Sequence, residues 1–73
     1  MVNVCILVRV LPGKEPALEG IKALPDVKKA YYLFGRYDIV VFARTADHKA
    51  ASQLSHKVNA MDGVKSTETL VEG

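Results

Sequence analysis

Two apolar runs, Val27 to Phe34 and Tyr37 to Ala43, meet at the four residues Gly35-Arg36-Tyr37-Asp38. A glycine-led turn at that point folds the runs back on each other as a β-hairpin. The same turn puts a carboxylate, Asp38, at the head of a strand that reads as buried. A charge in such a place costs free energy unless something pairs with it. The partner of Asp38 is therefore the first clue to function.

The segments on either side extend the pattern. Val2 to Leu11 alternates, with Val2, Val4, Ile6, Val8 and Val10 on one face and Asn3, Cys5, Leu7, Arg9 and Leu11 on the other. Period two with β-branched residues predicts a strand. The second face is also half apolar, so a partner is expected to cover it. Pro12-Gly13 stops the strand. A helix follows, with Pro16 in its first turn, where a missing N–H matters least. Ala17, Leu18, Ile21 and Leu24 recur at helical spacing, and Pro25 closes the segment. Gly20 inside it costs about 1 kcal/mol relative to alanine, which a close approach to the sheet would explain.

After the hairpin a second helix is predicted, with Thr45 or Asp47 as its N-cap. Its apolar stripe is Ala51, Leu54, Val58 and Met61, and Asp62-Gly63 ends it. The last strand runs from Val64 to Val71. The order strand, helix, strand, strand, helix, strand is the split βαβ arrangement. The fold class expected is α+β, ferredoxin-like βαββαβ, a four-stranded antiparallel sheet with both helices on one face. The other face would carry Cys5, Leu7, part of Tyr31 to Phe34 and one parity of the third strand. An apolar patch of that kind on a small domain marks an interface, so the domain is expected to dimerise through its sheet face.

Size points the same way. The 73 residues make a single domain, 1–73. A chain this short buries only about 60% of its unfolded surface. Its one cysteine, Cys5, allows no internal disulfide, and no Cys/His cluster offers a structural metal. Association with copies of itself is the stabiliser left. The net charge of +2, with both signs interspersed, is too weak and scattered for a nucleic-acid surface. No apolar run approaches the roughly 18 residues that span a membrane. The start, Met1-Val2-Asn3-Val4-Cys5, lacks the features of a secretory signal. A lone cysteine without an export signal implies the reducing cytoplasm.

Catalytic constellations are poorly represented. His48 and His56 are eight apart on a helix, not three or four, and read as solvated. Cys5, inside a strand, reads as a structural thiol. Ser52, Ser55 and Ser66 have no nucleophile-elbow context. Lys28-Lys29 and Lys49 with Lys57 read as solvated faces. Gly13 and Gly35 belong to no phosphate-binding fingerprint. No catalytic residue, cofactor or metal site is expected, and the chain does not read as an enzyme.

The turn and the last strand remain. Gly35 can adopt φ > 0 and turn backbone N–H groups toward a carboxylate. Asp38 suits an ammonium. Thr67 and Thr69 share one face of the last strand and can donate or accept. Together these groups match a free amino acid. Charge-assisted hydrogen bonds of about 1.5–3 kcal/mol each give micromolar to millimolar binding. A blander reading stands beside this one: a carboxylate that caps its turn, and ordinary strand threonines.

The ordered set of residues resembles the effector-binding (RAM) domain of the Lrp/AsnC family. The carrying features are Val27 to Ala30 leading to Gly35-Arg36-Tyr37-Asp38, then Ile39-Val40-Val41, then Met61-Asp62-Gly63-Val64 and Thr67-Glu68-Thr69. No single piece is specific; the set spans almost the full length. The resemblance implies dimers through sheet faces that assemble into octamer or decamer rings, with amino-acid effectors bound between dimers. It implies Gly35, Arg36, Tyr37, Asp38, Thr67 and Thr69 as ligand-binding residues. Family regulators carry an N-terminal helix-turn-helix domain that this sequence lacks, so a stand-alone form without direct DNA binding is expected. Such a form would sense an amino acid itself or co-assemble with full-length Lrp/AsnC regulators. Three rivals share some of these features. An ACT-like regulatory domain would place its ligand at Pro12-Gly13. A small dimeric α/β-barrel enzyme would need an acid–base constellation that is missing. A purely structural module would bind no small molecule.

Overall fold

A computed structural model describes residues 1–13 and 16–72. Its elements are β1 (Val2–Val10), α1 (Ala17–Lys22), β2 (Val27–Tyr32), β3 (Ile39–Thr45), α2 (His48–Asn59) and β4 (Val64–Val71). The strands form one four-stranded sheet in the order β2-β3-β1-β4, every neighbouring pair antiparallel. This is the expected ferredoxin-like βαββαβ arrangement. No described helix is long and apolar enough to cross a membrane.

Alternation in β1 sorts its side chains as the pattern predicts. Val4, Ile6 and Val8 are buried against the helices, while Cys5 and Leu7 are half-buried on the far side. Register carries the sorting across the sheet. Ile6 lies opposite Val41 of β3 and Thr69 of β4, and Cys5 lies opposite Phe42 and Leu70. The core is completed by Leu18 and Ile21 of α1 and by Ala51, Leu54 and Val58 of α2. The outer face keeps Tyr31, Phe42 and Leu70 between 43% and 53% exposed. Tyr31 and Phe42 meet there edge to face, with ring centroids 6.5 Å apart.

Several boundaries differ from those expected. β1 ends at Val10, one residue short of the alternating run, and the Leu11 N–H donates to the Gly63 carbonyl at 2.8 Å beside the start of β4. α1 spans only six residues. Pro16 precedes it with helical dihedrals and makes no side-chain cap, and at the far end the Leu24 N–H turns to Ile21 in a tighter turn before Pro25. The close approach expected of Gly20 is to Met61, not to the sheet. A Cβ built on Gly20 would stand 2.7 Å from the Met61 methyl, and the helix cannot fill that space without moving it.

The N-cap of α2 is Asp47, whose Oδ1 accepts the Ala50 N–H at 2.8 Å. Thr45 is instead the buried last residue of β3, 1% exposed, and its hydroxyl donates to the Asp47 carbonyl at 3.0 Å. Asp47→Ala should therefore cost about 1 kcal/mol, whereas Asp47→Ser should cost only a few tenths. Urea denaturation of the two variants beside the parent checks this; equal losses would mean the cap contributes nothing.

Candidate functional site

The hairpin connection is longer than the four-residue turn expected. β2 stops at Tyr32 and β3 starts at Ile39, with the intervening residues closed by the Leu33 N–H to the Asp38 carbonyl at 2.8 Å. The reason lies in Asp38. Its own N–H donates to the Val8 carbonyl at 2.9 Å while its carbonyl holds Leu33, so the end of the turn is tied to β1 and to the β2 side at once. Gly35 has φ of +125°, and nothing lies within 4 Å of a Cβ built on it. Its constraint is thus conformational and not steric. Phe34 beside it is fully exposed.

Gly35→Ala should destabilise by about 1 kcal/mol, the low end for a residue forced into a sparsely populated region, because an exposed loop relaxes. The loss should be confined to the tip. Amide hydrogen exchange would show faster exchange in the loop with β1 unchanged; protection lost throughout the sheet would contradict it.

The partner of Asp38 is the backbone of β1. Oδ2 accepts the Val10 N–H at 2.9 Å in a part-buried setting. The β1–β4 register shifts between Arg9 and Val10, so this N–H sits at an irregularity of the ladder. Asp38 thus ties the turn to β1 instead of capping the turn itself. A carboxylate offers about four lone-pair sites, so this bond does not exhaust it.

Tyr37 reaches in another direction. Its hydroxyl donates to Glu68 Oε1 of β4 at 3.3 Å. Glu68 lies opposite Leu7 and so belongs to the outer face of the sheet. Arg36 is exposed, and with Arg9 and Tyr37 it lines a shallow depression of about 380 Å³. Arg9 and Glu68 were not among the residues singled out from sequence. Their face could have been read from parity; their nearness to Tyr37 could not.

Thr67 and Thr69 lie opposite Val8 and Ile6, on the helix-facing side. The Thr67 hydroxyl donates to Asn59 Oδ1 at 3.3 Å, and the Thr69 hydroxyl is hydrogen-bonded to that of Ser55. Ser55 and Asn59 are four apart on α2, hence neighbours on one helix face; from sequence Ser55 was weighed only as a nucleophile, and Asn59 was not singled out. The six expected site residues therefore fall into two groups. Gly35, Arg36, Tyr37 and Asp38 cluster at the hairpin end, with Tyr37 directed onto the outer face. Thr67 and Thr69 face the α2 seam. One copy of the chain does not bring the groups into a single pocket.

Cys5 stands on the outer face, and burial pushes its thiol up from its ordinary value. A thiol so placed is a poor nucleophile near neutral pH.

Residues 3–72 match the model of the Lrp/AsnC ligand binding domain. Among solved structures, FFRP-DM1 superposes with a TM-score of 0.92 at 33% identity, the match covering 100% of both chains. AsnC of E. coli superposes with a TM-score of 0.85 at 30% identity, covering 97% of this chain and 50% of that one. At the level of fold alone, a transcriptional regulator of Neisseria meningitidis solved with L-methionine superposes at 0.83 with 19% identity, covering 99% of this chain and 49% of that one. A search among curated proteins finds no significant match.

Proposed function

We propose, from the premise that the chain belongs to the Lrp/AsnC ligand-binding domain family, that it is a non-catalytic regulatory domain that senses a free amino acid. The effector sits between copies of the chain. Gly35, Arg36, Tyr37 and Asp38 come from one copy, and Thr67 and Thr69 from another. Copies pair through the outer sheet face, and the pairs close into an octamer or decamer ring. The occupied ring acts on regulators of the same family.

One observation carries this reading. The two groups of polar residues lie on different faces of one chain, so a shared pocket requires a neighbour. The sheet-face pairing is supported separately by Tyr31, Phe42 and Leu70, which leave an apolar surface open beside Cys5 and Leu7. Contiguous apolar surface of that kind marks an interaction site.

Calorimetry against the twenty amino acids tests the reading, on material whose assembly is first measured by light scattering. L-methionine is the natural first probe, given the complex of the Neisseria regulator. Saturable micromolar-to-millimolar binding of at least one amino acid by an assembly larger than a dimer is expected. An assembled protein that binds none of them overturns the proposal.

A further inference from the structure

We infer that two copies pair with the β2 edge of each sheet over the β4 edge of the other, so that Leu70, carried between Glu68 and Glu72, seats in a hollow that Lys29 and Arg44 help to line on the facing copy. The inference rests on the sheet-face pairing proposed above and fixes its orientation. Register lays the outer face out in rows. Lys29, Phe42, Cys5 and Leu70 lie opposite one another across the four strands, and Tyr31, Val40, Leu7 and Glu68 form the next row. Arg44 lies opposite Asn3, whose carbonyl accepts the Glu72 N–H at 3.0 Å. The exposed cations Lys29 and Arg44 thus belong to the β2–β3 side of this face, and the exposed carboxylates Glu68 and Glu72 to its β4 edge. Arg9 stands apart, at the hairpin end opposite Ser66.

Shape and charge match across these two edges. A hollow of about 420 Å³ has Tyr31, Phe42, Lys29 and Arg44 among its lining residues. Leu70 is 53% exposed, and strand alternation puts Glu68 and Glu72 on either side of it on the same face. An apolar knob between two carboxylates complements an apolar hollow beside two cations. Glu68 accepts from the Tyr37 hydroxyl and Glu72 from the Asn3 N–H groups, which leaves each carboxylate lone pairs for a further donor. Among the described residues, Lys29 and Arg44 have no ion-pair partner within the chain. Copies related by a two-fold axis present the same patch to each other. An axis along the strands sets β2 over the partner's β4 with row over row, so Lys29 faces the partner's Leu70 between the partner's Glu68 and the partner's Glu72. An axis across the strands sets β2 over β2 and β4 over β4, basic edge over basic edge and acidic over acidic. Like charges brought together in an interface cost free energy. Facing sheets stand about 10 Å apart, a gap that a lysine and a glutamate side chain span together. The axis along the strands also leaves both 35–38 turns at one end of the pair.

Sedimentation of the full chain over a range of concentrations tests this with two variants, Lys29→Glu and the double variant Glu68→Lys with Glu72→Lys. Each contact occurs twice across the axis and turns from attraction to repulsion, so each variant alone should pair about tenfold more weakly than the parent. Added salt should weaken the parent's pairing and strengthen that of each variant, because screening acts on both signs. Mixed in equal amounts, the two variants should pair as tightly as the parent, since every facing charge is again opposite. The mixture decides the matter even if one variant does not fold alone. If Lys29→Glu pairs as well as the parent, or the mixture pairs no better than its components, this orientation is overturned. Phe42→Glu separates that failure from a failure of sheet-face pairing itself. If Phe42→Glu abolishes pairing while the charge variants do not weaken it, the face is right and the orientation wrong. If Phe42→Glu also leaves pairing intact, both are overturned.

Discussion

Ile6→Ala should be the most damaging single substitution in the domain, with an expected loss of about 2–5 kcal/mol. Ile6 is fully buried in β1, between β3 and β4, within the core cluster to which both helices contribute side chains. Removing its branched side chain opens a cavity where every neighbour is already packed. A chain of this size has a total stability of roughly 4–11 kcal/mol. The loss is therefore a large share of what holds the fold together. At about 4–8 °C per kcal/mol for so small a domain, the melting temperature should fall by roughly 8–40 °C. The comparison must be made at one protein concentration, because self-association adds stability by mass action. A drop of only a degree or two would mean that the β1 core is not the stabilising centre described above.

Asp38 is the second large effect, and two substitutions separate its roles. Asp38→Ala leaves the part-buried Val10 N–H without its acceptor and should cost about 1–3 kcal/mol in stability. Asp38→Asn keeps an acceptor oxygen at the same reach and should recover most of that stability. It also removes the charge that an effector ammonium would meet, so its affinity should fall by about 1.5–3 kcal/mol. Urea denaturation and calorimetry on the same samples decide the matter. If the asparagine variant is as unstable as the alanine one, the bond to Val10 is not what holds the turn. If it binds an effector as tightly as the parent, Asp38 serves the fold alone.

The two readings of Asp38 offered by sequence, a ligand group and a turn cap, both missed its partner. The missing piece is Val10, which lies 28 residues away along the chain. No periodicity or turn rule reaches that far. The Tyr37–Glu68 pair, 31 residues apart, was hidden for the same reason. Arg9 was visible as a polar residue on the outer parity of β1, yet nothing local linked it to the turn. Thr67 and Thr69 were legible as sharing a face. Which face it was depended on their pairing with Val8 and Ile6. The shorter α1 reflects a balance between continued helix and a tightened last turn, which spacing of apolar residues does not resolve.

What the residues decide among near neighbours was readable from the chain itself. Alternation made β1 and β4 strands, 3.6-residue spacing made α1 and α2 helices, and Gly35 marked the reversal between β2 and β3. From these came the element order, the core and the ferredoxin-like class. Only the tertiary structure decided what meets what across the sheet: Asp38 with β1, Tyr37 with Glu68, the threonines with α2, and Arg9 with Arg36 at one depression. The physical reason is range. Dihedral preference and side-chain periodicity act within a few residues, whereas register and crossing of strands are set by burying the whole core at once.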